Sequence, residues 1–319
     1  MLKIAEPNAL LLYAILQGAE MRVNPFFVSN LATSLDQTQV AQQQLTSELS
    51  SGVRVTSLSV DPIASGENVL LLNQVQQDDS FTQTSSLVQG QLQVADSALG
   101  SVVSQLTQAI SLATGASNGT LNSSQLQSVS NQLAGIRDEV TSLANTSYQG
   151  QYIFAGGQTS TTPFTTSNTT TPATTTYNGD AGVNMLQTPN GQTIQLNMPG
   201  SQIFTANGAN NVLAALNKLV ADFSTGVSAQ TSVADTEALN TAMNYVSQQR
   251  VTLDNSLTRL TAASDAVTNE QTQLTAAQTN LMQADLPQIS TQLSLAETQQ
   301  TALEDVISQL GSGSLFQKL

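Results

Sequence analysis

The stretch VQGQLQVADSALGSVVSQLTQAISLA, residues 88–113, carries the most regular pattern in the chain. A helix that buries one narrow stripe against another helix shows this alternation of four-residue and three-residue apolar steps. The stripe predicts a helix of roughly 40 Å over these residues alone. We expect the small residues Gly90 and Gly100 to let a neighbouring helix approach closely. The stripe consists of Val88, Leu92, Ala95, Leu99, Val102, Leu106, Ala109 and Ala113.

Weaker stripes predict further helices on the N-terminal side and just after this stretch. Five of the seven stripe positions from Val28 to Leu49 are apolar, and Ser51-Gly52 is a typical helix end. Asp61 before Pro62 is a helix-start signal, so we expect the second helix to run from Pro62 to about Ala113. After a turn at 115–120, apolar residues from Leu126 to Leu143 predict a third helix, antiparallel to the second because the connection is short.

Helical periodicity returns in the last third of the chain. One stripe begins at Val212, and a longer one runs from Leu239 to Leu281 with polar interruptions. Pro287 restarts the helix with Asp285 as its cap, and the last stripe runs from Leu286 to Leu310.

The segment 150–210 reads as a small β-rich insertion. Gln151–Phe154 has strand character, and Ile194, Leu196 and Met198 alternate with polar residues as in a half-buried strand. Asn190-Gly191 is a hairpin turn signal. Thirteen of the 19 residues from Thr159 to Tyr177 are Ser or Thr, so this loop lacks the apolar residues to fold alone.

The predicted fold is therefore mainly α: an elongated antiparallel helical coiled-coil rod formed by both chain ends, with a small β-rich insertion. We expect an N-terminal rod segment at 21–149, the insertion with its Thr/Ser-rich loop at 150–210, and a C-terminal rod segment at 211–319.

Composition excludes several classes of function. The chain has no histidine and no cysteine, so we predict no catalytic, cofactor-binding or metal-ligating residues and no enzyme activity. Its net charge of −14 includes only 8 Lys+Arg, which argues against binding to nucleic acid or to an anionic membrane. Four of the five arginines, Arg54, Arg137, Arg250 and Arg259, leave ordinary surface pairing and pairing between subunits open. Four Asn-x-Ser/Thr strings leave surface glycosylation open.

Several short strings resemble the flagellin family. Met21–Pro25 is similar to the start of these proteins, Gln43–Val55 to the end of their first helix, and Asp61–Ala64 to the opening of their second, although Val60 stands where an aspartate is often found. Residues 150–156, GQYIFAG, and the ending at 313–319 are similar to the hook–filament junction members. The likeness covers about residues 21–157 and 175–319.

The resemblance implies a structural subunit of the bacterial flagellum that joins the hook, through hook-associated protein 1, to the filament of flagellin. It also implies self-association into a ring, a flagellar export chaperone, no cofactor, and export to the extracellular flagellum without signal-peptide cleavage. A filament flagellin and a coiled-coil surface adhesin stay open as alternatives. Since the family starts where Met21 stands, we expect residues 1–20 to be a non-native or disordered leader.

The terminal stripes are weak and lie at free chain ends, so partner helices would stabilise them. We therefore predict that the assembly interface consists of Val28, Leu31, Leu35, Leu45, Leu49, Leu293, Leu303, Ile307, Leu310, Leu315 and Phe316.

Overall fold

The structure is a computed structural model that describes residues 25–226 and 229–312. The predicted mainly α fold with a small β part is confirmed. The strands form three antiparallel pairs, β1 (Ser147–Tyr148) with β2 (Gln151–Tyr152), β3 (Phe164–Ser167) with β4 (Thr174–Tyr177), and β5 (Met185–Gln187) with β6 (Thr193–Gln195). The helices are α1 (Pro25–Ser51), α2 (Pro62–Ala116), α3 (Ser123–Ala144), α4 (Gly200–Ile203), α5 (Val212–Thr225), α6 (Ala229–Met282) and α7 (Leu286–Ser312).

The chain divides into two compact units. The terminal unit comprises the described residues of Met1–Leu71 and Ala276–Leu319, and the central unit comprises those of Leu72–Thr275. The strands and the short helix α4 lie in the central unit, together with the parts of α2 and α6 that fall in that range.

Side-chain caps and glycines set the helix ends. Asp61 Oδ1 accepts a hydrogen bond from the Ala64 N–H at 3.0 Å at the start of α2, and Asp285 Oδ1 accepts one from the Gln288 N–H at 3.1 Å at the start of α7. Gly52 follows α1 with a φ of +68°, a left-handed conformation that glycine adopts without a Cβ clash. The predicted caps at Asp61 and Asp285 and the predicted end of α1 are confirmed.

The predicted stripe of α2 forms part of the hydrophobic core of the central unit. All eight of its positions from Val88 to Ala113 are buried. The core continues through Leu133 and Val140 of α3 and through the inner side of α5, and it includes Leu239 to Val267 along α6. Because a helix seam of this kind removes long apolar surfaces from water together, burial here is the main term that stabilises the central unit.

Side chains from other elements come close to two glycines of α2, Gly90 and Gly100. A Cβ on Gly100 would lie 3.5 Å from the guanidinium of Arg250, which belongs to α6 and pairs with Asp96. A Cβ on Gly90 would collide with the hydroxyl of Tyr148, which lies on β1. We expected a helix to lie close to both glycines. A helix does so at Gly100, whereas a strand does so at Gly90.

The strands are shorter than the sequence predicted. β2 stops at Tyr152, although the Ile153 N–H still donates to the Thr146 carbonyl at 3.1 Å, and the residues that follow, Ile153, Phe154 and Ala155, are buried in the core. β6 stops at Gln195 because the buried Asn197 side chain bonds to backbone groups, among them the Asn184 N–H at 2.7 Å and the Gly182 carbonyl at 3.1 Å. The Asn190-Gly191 turn between β5 and β6 is present as predicted, with a φ of +82° at Gly191.

The Thr/Ser-rich tract forms an ordered hairpin, β3–β4, that is anchored by aromatic side chains. The Phe164 ring packs edge-on against Phe204 at a centroid distance of 5.4 Å, and Phe154 packs against the same ring at 5.3 Å. Asn145 fixes the start of β3, because its side chain donates to the Phe164 carbonyl and accepts from the Phe164 N–H. The tract is thus held by contacts with the core, as a segment with too few apolar residues to fold alone requires.

Candidate functional site: the terminal helix unit

The terminal unit is built on two helices that run in opposite directions. α1 packs along α7, and the end of α1 lies beside the start of α7. At that end the Ala284 N–H donates to the Gly52 carbonyl at 3.0 Å, and Val53 forms an antiparallel bridge with Gln283. These backbone bonds fix the register of the helix pair.

The predicted interface residues of α1 and α7 that the structure describes are mostly half-buried. Leu31, Leu35 and Leu45 of α1 are half-buried. So are the predicted residues of α7, namely Leu293, Leu303 and Ile307. The side chains of Val28 and Leu310, and the residues Leu315 and Phe316, lie outside the described part of the structure.

At the C-terminal end of α1, the buried residue differs from the one that the apolar stripe predicts. Glu48 is buried, whereas the predicted Leu49 is 37% exposed. A hydrogen bond of 2.9 Å from Gln44 Nε2 to Glu48 Oε1 holds that carboxylate along its own helix. A three-residue step from Leu45 therefore places Glu48 on the α7 side, and Leu49 points away from it.

The connection between α1 and α2 is tied to the end of α6. The Arg54 N–H donates to the Met282 carbonyl at 2.8 Å, and the Arg54 guanidinium pairs with Asp61 at 3.0 Å. The hydrogen bond from the Ala64 N–H and the Arg54 side chain together hold the pKa of the Asp61 carboxyl below its usual value. Further along α2, Gln278 Nε2 donates to Asn68 Oδ1 at 2.9 Å.

Few hydrophobic side chains are buried in the terminal unit. Its fully buried apolar residues are Val55, Ala64, Ala284, Ile289 and Ala296, and three of these are alanines. The continuous hydrophobic core of the described chain begins at Phe81 and ends at Val267, so it lies wholly in the central unit. The terminal unit is therefore stabilised by a narrow seam and a few backbone bonds rather than by a core.

Large hydrophobic side chains lie on the outside of the terminal unit instead. Ten of the 16 exposed large hydrophobic residues of the described chain belong to it, and six belong to the longer central unit. Exposed apolar surface concentrated in this way is typical of an interaction site. The ten are Phe26, Val40, Leu49, Leu58, Ile63, Val69, Leu70, Leu286, Leu295 and Val306.

An open groove of about 510 Å³ runs between α1 and α7. None of its lining residues carries a charge. An apolar helix fits such a groove without burying an unpaired carboxylate. The groove is lined by Ser34, Gln37, Thr38, Ala41, Ala296, Gln299, Ala302, Leu303 and Val306.

The sequence did not single out the exposed residues at the start of α2. Ile63, Val69 and Leu70 precede the predicted stripe of α2, which begins at Val88, and all three are exposed. Their apolar character in a segment without a predicted stripe was the available signal for exposed apolar surface.

The four arginines in the described part of the chain bond to other residues of the same chain. Arg250 holds Asp96 through two bonds of 2.7 and 3.0 Å, and Arg137 bonds to Asp138 at 2.7 Å. Arg54 pairs with Asp61, and Arg259 donates to the Thr193 carbonyl at 2.9 Å. These contacts support ordinary pairing over the ring contacts that the sequence left open.

The described residues show neither a metal site nor a membrane-spanning helix. No three side chains of the Asp, Glu, His or Cys type come together there as a metal site would require. No helix within 25–226 and 229–312 has an apolar run long enough to cross a membrane. The one feature of this region that suggests a function is the exposed apolar surface of the terminal unit.

Known proteins with similar sequences are flagellar. Residues 26–159 match the bacterial flagellin N-terminal helical region. Flagellar hook-associated protein 3 of Salmonella typhimurium is 30% identical over 181 residues, and that of Escherichia coli is 35% identical over 118 residues. The matches cover 56% and 37% of this chain and 55% and 37% of the relatives, so the chain spans about half the length of the first.

Solved structures share the fold at low sequence identity. A flagellar hook-associated protein from Vibrio parahaemolyticus has a TM-score of 0.62 at 22% identity, over 70% of this chain and 100% of that one. Flagellar hook-associated protein 3 from Legionella pneumophila has a TM-score of 0.58 at 12% identity, over 66% and 98%. The resemblance seen in the sequence is thus confirmed: residues 26–159 of this chain are similar to the flagellin N-terminal helical region, and the chain is similar to flagellar hook-associated protein 3.

Proposed function

We propose that this chain is a structural subunit of the bacterial flagellum that joins the hook to the filament. The observation that supports this role is the contrast between the two units. The central unit has a continuous hydrophobic core, whereas the terminal unit carries ten of the 16 exposed large hydrophobic residues of the described chain. A helix pair with so little buried surface gains most of its stability from partner helices.

In the proposed assembly, the terminal units of neighbouring copies pack side by side in a ring. One side of the ring meets hook-associated protein 1, and the other meets the first flagellins. We further propose that the chain is exported to the flagellum without cleavage and with the help of an export chaperone. The weakly cored terminal helices suit export, because little folding free energy opposes their opening.

A filament flagellin is the second candidate, since the matched N-terminal helical region is a flagellin region. The two functions differ in copy number. A filament contains thousands of subunits, whereas a junction ring contains few.

Deletion of the gene tests the proposed role directly. We expect electron microscopy of the deletion strain to show hooks without filaments, and immunoblotting to show unassembled flagellin in the medium. Complementation with the full chain is the control and should restore filaments. Normal filaments in the deletion strain would exclude both functions, and quantification of the protein along the whole filament would favour the flagellin.

A further inference from the structure

Four Asn-Gly dipeptides occur in the chain, at residues 118–119, 178–179, 190–191 and 207–208. An asparagine in this context loses ammonia without an enzyme, because the glycine that follows has no Cβ to shield its backbone nitrogen from the asparagine side chain. We propose that Asn118 is a spontaneous deamidation site and that the fold protects the other three asparagines. Asn118 lies in the connection between α2 and α3, in the central unit.

The reaction needs only water as a co-reactant. The backbone nitrogen of Gly119 gives its proton to the solvent and attacks the side-chain carbonyl carbon, Cγ, of Asn118. A bond forms between that nitrogen and Cγ, the bond between Cγ and Nδ2 breaks, and ammonia leaves a succinimide ring behind. Water then opens the ring at either carbonyl and yields aspartate or isoaspartate. Ring closure therefore requires a glycine N–H without a hydrogen bond and a peptide plane that can turn.

The connection between α2 and α3 meets both requirements. Asn118 and Gly119 are exposed, and a Cβ added to Gly119 would meet no atom within 4 Å. Within the described structure, neither the Asn118 side chain nor the Gly119 N–H has a hydrogen-bond partner. The last backbone bond before them runs from the Ser117 N–H to the Ala113 carbonyl, and α3 begins only at Ser123. The peptide between Asn118 and Gly119 is therefore able to turn.

The pair Asn178–Gly179 is held from both sides. Asn178 Nδ2 donates to the Thr165 hydroxyl at 3.2 Å, and the Asn178 N–H donates to the Pro163 carbonyl at 2.7 Å. A Cβ on Gly179 would collide with the Tyr177 hydroxyl, so this backbone is closely packed. Ring closure here has to break hydrogen bonds and displace an aromatic side chain.

At the pair Asn190–Gly191, the attacking group itself is occupied. The Gly191 N–H donates to the Thr188 carbonyl at 2.9 Å in the turn between β5 and β6. This hydrogen bond has to break before the nitrogen can reach the side chain of Asn190, so the hairpin turn slows the reaction although Asn190 is exposed.

At the pair Asn207–Gly208, the glycine begins a short 3-10 helix, Gly208–Asn210. The Gly208 carbonyl accepts a hydrogen bond from the Asn211 N–H at 3.3 Å, which closes this turn. Ring closure moves the Gly208 nitrogen, so the turn has to open first. Asn118 is thus the asparagine of the four whose reaction breaks no hydrogen bond in the described structure.

Deamidation at Asn118 changes the charge and the backbone of the connection. Aspartate places a carboxylate just beyond Ala116, the last residue of α2, where the partial charge of the helix end is already negative. Isoaspartate also adds a methylene group to the backbone. Because the reaction is irreversible, we expect molecules of different age to differ at this position.

Incubation of the full chain in mildly alkaline buffer measures the reaction at all four sites, when protease digestion and mass spectrometry of the peptides follow. We expect the peptide that contains Asn118 to deamidate at least tenfold faster than those that contain the other three asparagines. In the chain unfolded by urea, the four rates should become similar, because the hydrogen bonds that protect three of the sites are lost.

An Asn118→Gln variant gives an independent measurement, since the longer side chain closes the ring far more slowly. An isoaspartate-specific methyltransferase should label the aged wild type, and the label should fall to the level of fresh protein in the aged variant. Asn178→Gln is the matched control and should leave the label unchanged.

Three results would overturn the proposal. The first is a rate at any of the other three asparagines that equals the rate at Asn118 in the folded chain. The second is a rate at Asn118 that rises tenfold or more in urea, since the fold would then protect this site as well. The third is full methyltransferase labelling of the aged Asn118→Gln variant.

Discussion

Asp222 and Asp235 place two carboxyl groups inside the central unit, near a single lysine. Lys218 Nζ donates to Asp235 Oδ1 at 2.6 Å, and the second oxygens of both carboxyls have no hydrogen-bond partner among the described residues. Burial raises the pKa of Asp222 to about 7, and the nearby carboxyl of Asp235 adds to the rise. Near neutral pH, Asp222 is therefore partly protonated.

This pKa makes the stability of the central unit depend on pH. The pKa of Asp222 is higher in the folded chain than its ordinary value of 3.8. Its contribution to stability is therefore complete below pH 3.8 and is lost as the pH rises through 7. We expect Asp222→Asn, which cannot ionise, to gain stability relative to the wild type by about 2–4 kcal/mol between pH 4 and pH 8. Thermal unfolding followed by circular dichroism at several pH values measures the difference.

Asp265→Asn is the control for this prediction, because Asp265 is exposed on α6. It should not produce such a gain. A stability difference between Asp222→Asn and the wild type that does not change with pH would show that the carboxyl of Asp222 does not titrate in this range.

The acid pair could not be predicted from the sequence. Asp222 and Asp235 are 13 positions apart on different helices, and nothing in their spacing indicates that they meet. The caps were predictable, because Asp61 and Asp285 act on the N–H groups of residues that follow them closely in the chain. Local hydrogen bonds are visible in a sequence, whereas a pairing that depends on helix packing is not.

At the scale of the elements, α2 carries a polar interruption in its buried stripe. Asp78 and Ser85 are fully buried, and Asp78 Oδ2 and Ser85 Oγ have no hydrogen-bond partner in the described structure. An unsatisfied buried hydroxyl costs about 1–3 kcal/mol. This part of α2 is therefore less stable than the all-apolar part that follows from Val88.

We expect Ser85→Ala to stabilise the chain by about 1–2 kcal/mol, because it removes an unpaired buried hydroxyl and improves helix propensity. Ser86→Ala is the matched control, since Ser86 is the next residue of the same helix, is exposed, and bonds to the Thr82 carbonyl. The control should change stability by about 0.5 kcal/mol or less. Thermal or urea unfolding measures both variants, and equal effects would show that burial of Ser85 carries no cost.

The helices were more predictable than the strands. The stripe from Val88 to Ala113 has eight apolar positions, so a single exception would not obscure it. Cap residues indicate where helices begin. Each strand pairs for only two to four residues, so too few residues repeat to show where it ends. The burial of Glu48 was equally hard to predict, because it depends on how α1 packs and not on its own sequence.

At the scale of the whole molecule, the distribution of buried apolar residues predicts two levels of stability. Residues such as Leu99, Leu106 and Leu133 are completely buried in the central unit. The α1–α7 pair has half-buried leucines, and its only buried apolar side chains among the described residues are Ile289 and Ala296. Local opening is easiest where few apolar contacts are broken, so the terminal helices should open far more often than the central ones.

Amide hydrogen exchange measured by mass spectrometry tests this expectation. In dilute protein, we expect amides of α1 and α7 to exchange at least a hundredfold faster than those of residues 92–113, because opening the helix pair exposes little apolar surface. In concentrated, self-associated protein the same amides should become protected, while exchange in residues 92–113 stays unchanged. Full protection of α1 and α7 in dilute protein would mean that the helix pair is stable without a partner, and the physical reason for its assembly would be lost.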